Sequence, residues 1–283
     1  NRLNGEYASE SKYLLTDILR KEWGFDGLLV TDWGACNDRV KGLKAGQDLE
    51  MPSSFGINDE KIVAAVKNGT LAEADLDKAV DRILRLVYKC QDKEKQVTNT
   101  EDNHLLAKKI ASESMVLLKN NDNILPLKSS SIGIIGEFAK YPRIQGCGSS
   151  KVNPLKVETV YEVFKNNGVD FLYASGYSLT TDKTNKRLIE EAVEIARRVD
   201  IPIVFIGLPE SYESEGFDRT HINLPPSHNE LVAKVSEANS KTVVILSGGA
   251  PVVMPWINKV KVLLNTYLAG ESASLAIYDI LFG

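Results

Sequence analysis

Cysteine and histidine are scarce in this 283-residue sequence, with three of each. Cys36, Cys90 and Cys147 form an odd set without metal-ligand spacing, and His104, His221 and His228 lie near none of them in the chain. That excludes a zinc site and a disulfide framework. Unpaired thiols favour a reducing compartment such as the cytoplasm, although no leader is visible to read and the compartment stays unassigned. Concentrated positive charge is missing too: 34 Lys and Arg stand against 38 Asp and Glu, a net charge of −4, with no basic cluster. Nucleic acid is not an expected partner, because phosphate contacts need such a footprint. The longest apolar runs, Ile201 to Leu208 and Val260 to Leu264, fall far short of the roughly 20 residues that cross a bilayer. No membrane partner is expected.

What is present reads as an α/β protein of about two domains. Leu14, Leu15, Ile18 and Leu19 recur at helical spacing between Ser9 and Trp23, and Gly24 follows as a C-cap. The run Gly27 to Thr31 is a short apolar strand of the kind buried in a parallel sheet, and Asp48 to Met51 is a second, ended by Pro52. Helices are expected near 36–45, 58–67 and 72–90. The polar stretch Gln91 to Asn103 cannot contribute to a core and reads as a linker. A helix over 104–118 then opens a second series, with strands at 132–138, 170–174, 201–207, 242–247 and 261–266. Helices near 157–167, 183–199, 227–239 and 271–281 separate them. Such alternation predicts a doubly wound, mostly parallel sheet covered on both faces over 104–283.

Ligands in these sheets sit outside the carboxyl ends of the strands, so the polar residues just after each apolar run carry the chemistry. Asp32 ends the first strand and precedes Trp33. A carboxylate beside a large aromatic ring suits sugar chemistry, the acid as nucleophile or stabiliser and the ring as an apolar floor for a pyranose. The competing reading makes Asp32 the cap of the next helix, a duty Asn37 or Asp38 could serve. The loop after 201–207 holds Glu210, Glu213, Glu215 and Asp218 beside Arg219. It is either a solvated acidic loop or the source of a general acid, its pKa raised by carboxylate crowding. Residues 143–154, R-I-Q-G-C-G-S-S-K-V-N-P, invite a phosphate-loop comparison. The spacing G-x-x-x-x-G-K-[ST] is not met, and a close-approach loop lining a cleft is the better reading.

On these residues the chain resembles glycoside hydrolase family 3, in its two-domain β-glucosidase branch. The resemblance is carried by N-R-L-N-G-E-Y-A-S, L-L-T-D-I-L-R-K-E-W-G-F-D-G, V-T-D-W-G-A and G-L-K-A-G-Q-D-L-E-M-P. It continues through A-S-E-S-M-V-L-L-K-N, Q-G-C-G-S-S-K-V-N-P and E-S-E-G-F-D-R, in that order. It implies the end of a (β/α)8 barrel over 1–90, a linker over 91–103 and an α/β sandwich over 104–283. It makes Asp32 the nucleophile and Glu215 the acid/base of a retaining, exo-acting β-glycosidase, with Trp33 bordering the sugar and no metal or organic cofactor. The implied substrate is a β-linked oligosaccharide or glycoside. The chain departs from the pattern in offering two barrel strands where the family has eight, in Thr31 where serine is usual, and in Cys147 where a smaller residue is common. The expectation is therefore a fragment of a longer enzyme, inactive without the barrel segment that partners it. The alternative is a non-catalytic carbohydrate-binding or scaffolding module.

Overall fold

A computed structural model describes residues 1–91, 97–128 and 130–283. The chain divides into two compact units, Asn1–Val97 and Thr98–Gly283. Of the expected linker 91–103, residues 92–96 lie outside the described residues, and Thr100 to Asn103 are not linker but the start of the helix Thr100–Ser114.

The first unit opens with a two-residue hairpin, β1 (Arg2–Leu3) and β2 (Glu6–Tyr7). The expected first helix follows as Tyr13–Glu22, wound with the wider i→i+5 hydrogen bonds that Trp23 N to Ile18 O (2.9 Å) exemplifies. The two expected strands do not form a ladder. Val30 and Leu49 make a single parallel bridge, supported by Thr31 N to Leu49 O at 3.0 Å and Leu49 N to Leu29 O at 3.1 Å. Helices α1 (Arg39–Ala45), α2 (Ile57–Lys67) and α3 (Glu73–Gln91) complete the unit. Its apolar cluster is small: Leu43, Ile62, Ala65, Leu71 and Ala79. Polar interactions support the segment carrying Asp32 from below. Buried Asp48 binds Arg20 at 2.7 Å, Arg82 at 2.8 Å and the Leu29 amide at 2.8 Å.

The second unit holds a six-stranded sheet in the order β3-β8-β7-β6-β4-β5. The strands are β3 (Val116–Asn120), β4 (Ile132–Ile135), β5 (Phe171–Ala174), β6 (Ile201–Gly207), β7 (Val243–Ser247) and β8 (Val262–Asn265). All neighbours run parallel except β3 with β8. The doubly wound, mostly parallel reading holds, with one correction. The expected helix 104–118 is α4 (Thr100–Ser114), and the residues after it form the antiparallel edge strand β3. Val116-Leu117-Leu118 extends the apolar pattern of the helix, so periodicity did not mark the break. The remaining helices are α5 (Val160–Asn166), α6 (Lys186–Arg198), α7 (Pro226–Ala238) and α8 (Ala273–Phe282).

Central strand β6 is buried at every position and contains Pro202, which has no amide hydrogen to give a ladder. It is tolerated because pairing with β7 starts only at Ile203. Two glycines set distances here. A Cβ on Gly133 would lie 2.8 Å from Ile195 of α6, and one on Gly207 would lie 1.8 Å from the Ser247 carbonyl oxygen. Buried Tyr177 ties the strand ends together, its hydroxyl donating to Phe205 O at 2.9 Å and accepting from Phe138 N at 3.0 Å. Among the described residues, no helix is long and apolar enough to cross a membrane.

Candidate active site

In the first unit the site is built around a tight turn. Thr31 is buried and its hydroxyl both accepts from Met51 N (2.9 Å) and donates to Met51 O (3.2 Å). Gly34 N also donates to Met51 O at 3.0 Å, and Ala35 N to Asp32 O at 3.0 Å. This clamp turns the chain so that Asp32 and Trp33 face solvent, Trp33 with 71% of its surface exposed. The Asp32 Oδ1 accepts from Trp33 N at 2.7 Å. A cavity of about 190 Å³ lies alongside, lined by Ala8, Leu15, Val30, Thr31, Asp32 and Gln47 among others. The capping duty once open to Asp32 falls to Asp38, whose side chain accepts from Lys41 N at 3.0 Å as the N-cap of α1. Nearby Cys36 is no nucleophile at neutral pH, because burial pushes its thiol up to about 11.

In the second unit the chemistry gathers at the carboxyl ends of the parallel strands. The order of pairing reverses between β4 and β6, which both β-neighbours flank, and that is where ligands bind in open α/β sheets. The loop after β4 (136–154) and the loop after β6 (208–225) meet there. Glu215 N donates to Cys147 O at 3.1 Å. The Oε2 of Glu215 accepts from Ser149 N at 2.7 Å and from the Ser149 hydroxyl. Gly148 makes the approach feasible: its φ is +97°, and a Cβ there would sit 2.5 Å from Glu215 Cβ. The glycine loop does cradle an anion with its backbone, as a phosphate loop would. The anion is the Glu215 carboxylate.

The four acids of the loop do not crowd one another. Glu210 turns to Lys151 Nζ at 3.0 Å and Arg143 Nη1 at 3.5 Å, and the Cys147 thiol and Lys151 hold its pKa down. Glu213 accepts from Gly249 N at 3.0 Å, pinning the loop to the turn after β7. Arg219 pins its far end, donating to Pro251 O at 3.4 Å. Only Glu215 meets Ser149, and the Ser149 hydroxyl followed by its amide pulls the Glu215 carboxyl below the usual range. The upward shift expected from crowding is thus corrected to a downward one, because donors rather than carboxylates surround it.

Two further cavities open on this edge. One of about 710 Å³ is lined by Lys140, Tyr141, Arg143, Gln145, Lys151 and Glu210 among others. The other, of about 410 Å³, is lined by Tyr177, Ser178, Asp182, Tyr212 and His228 among others. Among the described residues, no group of three His, Cys, Asp or Glu is placed to hold a metal ion. The residue that sequence reasoning passed over is Ser149. In the sequence it is one residue of a close-approach loop lining a cleft, and its one signal is the glycine before it.

Comparison with known proteins bears on both units. Residues 1–86 match the glycosyl hydrolase family 3 N terminal domain, and residues 115–283 match the glycosyl hydrolase family 3 C-terminal domain. The chain belongs to glycosyl hydrolase family 3. Within that family it is 50% identical to the thermostable beta-glucosidase B of Acetivibrio thermocellus, and the match covers 100% of the chain and 38% of that protein. It is 39% identical to an exo-alpha-(1->6)-L-arabinopyranosidase of Bifidobacterium longum, over 100% of the chain and 39% of the relative. Among solved structures, a family 3 beta-glucosidase of Bifidobacterium adolescentis superposes with a TM-score of 0.95 at 40% identity, covering 100% of the chain and 42% of that structure. Beta-glucosidase 3B of Thermotoga neapolitana, solved with alpha-D-glucose, gives a TM-score of 0.88 at 27% identity, over 100% and 45%. The family 3 chain described here thus spans about two fifths of the length of these relatives.

Proposed function

We propose that this family 3 chain carries the two catalytic carboxylates of a retaining, exo-acting β-glycoside hydrolase that releases terminal non-reducing β-linked glucose or a related pyranose. The observation that carries the reading is the division of labour among the acids. Asp38 caps a helix, Asp48 is buried between arginines, and Glu210 and Glu213 pin loops. Asp32, Glu215 and Asp218 are exposed, Asp32 beside an exposed tryptophan face, and of the two in the loop after β6 it is Glu215 that the glycine loop holds in place. In the double displacement, Asp32 attacks the anomeric carbon while Glu215 protonates the departing glycosidic oxygen. A glycosyl ester forms on Asp32. Glu215, now a carboxylate, takes a proton from the water that attacks the same carbon and frees Asp32. Trp33 supplies an apolar face for the ring. The names of the relatives, a beta-glucosidase and an arabinopyranosidase, support a pyranoside substrate.

The test is turnover of aryl and alkyl β-glucosides by the enzyme that contains these residues. Asp32→Ala is expected to abolish it. Glu215→Ala is expected to lose about 10²- to 10⁴-fold on poor leaving groups, less on activated ones, with partial rescue by azide. Retained anomeric configuration, seen by NMR, is part of the expectation, and a retaining pair sits roughly 5 to 5.5 Å apart when the site is assembled. A Glu215→Ala enzyme with undiminished rates on alkyl glucosides would move the acid role elsewhere. The 283 residues alone are expected to be inactive, because a barrel that recognises the sugar takes about 250 residues. Turnover by them at the rate of a whole enzyme would overturn that expectation.

A further inference from the structure

A carboxyl group that serves as acid and then as base has two oxygens, and the surroundings decide which of them moves the proton. For Glu215 the two are not equivalent. Oε2 accepts from the amide of Ser149 at 2.7 Å and from the Ser149 hydroxyl as well. An oxygen that receives an amide and a hydroxyl donor can carry a proton only if the amide is released or the hydroxyl turns from donor to acceptor, whereas the other oxygen takes one with neither change. The glycine loop enforces this arrangement at both ends, since Glu215 N is held by Cys147 O at 3.1 Å and Gly148 leaves no Cβ in the way.

We propose that Ser149 is a positioning residue for the acid/base, reserving Glu215 Oε2 for negative charge and confining the transferable proton to Oε1. The proposal rests on the assignment of Glu215 made above. In the first step the Oε1–H bond breaks and its proton joins the glycosidic oxygen, the bond from that oxygen to the anomeric carbon breaks toward the leaving group, and an Asp32 carboxylate oxygen bonds to that carbon as the ester. The charge left on Glu215 falls on donors already in place, so no reorganisation is needed as it develops. In the second step Oε1 takes one proton from water, the water oxygen bonds to the anomeric carbon, and the ester bond to Asp32 breaks. The same two donors favour the ionised form of Glu215. The lowering of its pKa comes from the Ser149 side chain and then its amide. Its titratable neighbours, Cys147 and Lys151 on the glycine loop and Glu210, Glu213 and Asp218 on its own, do not contribute to it.

The experiment pairs two readouts on Ser149→Ala and Ser149→Thr. The titration midpoint of the Glu215 carboxyl carbon, followed by NMR, is expected to move upward in Ser149→Ala and to return toward the parent value in Ser149→Thr, which restores a hydroxyl. The alkaline limb of the kcat/KM profile is expected to move upward with it. The acid limb, which reports the nucleophile, is expected to stay. An unmoved NMR midpoint in Ser149→Ala overturns the role of Ser149, whatever Glu215 does. A midpoint that moves while the alkaline limb stays shows that the contact exists but Glu215 is not the acid, which overturns the assignment beneath the proposal.

Discussion

Glu215 and Gly148 show how one backbone position constrains a side chain across a loop. A methyl group at residue 148 would lie 2.5 Å from Glu215 Cβ and 2.8 Å from its Oε2, on a backbone with φ of +97°. Gly148→Ala is expected to push Glu215 off Ser149 and to cost about 1–2 kcal/mol from the left-handed backbone. Rates on poor leaving groups should fall more than rates on activated aryl glycosides, which a leaving-group series measures. His228 is a second residue whose surroundings decide its charge. It is packed against Tyr177, with ring centroids 3.9 Å apart, and burial pulls its pKa down to about 3. Unfolded histidine titrates near 6.5. Between these values the unfolded chain binds the extra proton, so the stability His228 contributes is whole above pH 6.5 and is lost as pH falls toward 3, at up to about 1.4 kcal/mol per unit. His228→Gln should flatten the dependence of unfolding midpoint on pH between about 6.5 and 4. Neither feature was legible in the sequence. Gly148 read as a loop glycine and His228 as one of three histidines, because both constraints come from residues far along the chain.

The segments between residues 27 and 51 illustrate the element scale. Both were read as buried strands from apolar runs, yet the structure joins them by one parallel bridge and relies on polar links for the rest. Asp48 is the hub of those links, with its side chain 1% exposed and Arg20 at 9%. Asp48→Ala strands the buried Arg20 guanidinium and is expected to cost about 3–5 kcal/mol, read as a lowered urea midpoint for the first unit. The helices were legible to within a few residues where caps are local, as at Asp38 and at Thr159, whose capping box with Glu162 starts α5. Strand β3 was not. Its sequence is as apolar as the helix before it, and only its partner β8 decides that it extends.

On the scale of the whole chain, the two units differ in how much core each builds. The second surrounds its sheet with a large cluster that includes Ile134, Phe164, Ile203, Val244, Leu263 and Ile277. The first has five buried apolar residues in its cluster, and Val80, Leu84 and Val87 of α3 stay 43–45% exposed. Residues 98–283 expressed alone are therefore expected to unfold in one cooperative transition, while residues 1–97 alone are not, a contrast that calorimetry would read directly. The amino-acid order alone determined the α/β alternation, the family and the choice of Asp32, Trp33 and Glu215, because periodicity and motif order are properties of neighbouring residues. Tertiary structure decided which acids are spent on caps, ion pairs and loop anchors, and that Ser149 donates to Glu215 Oε2. Those outcomes depend on distances between segments some 66 residues apart, and such distances exist only once the sheet has brought its loops to one edge.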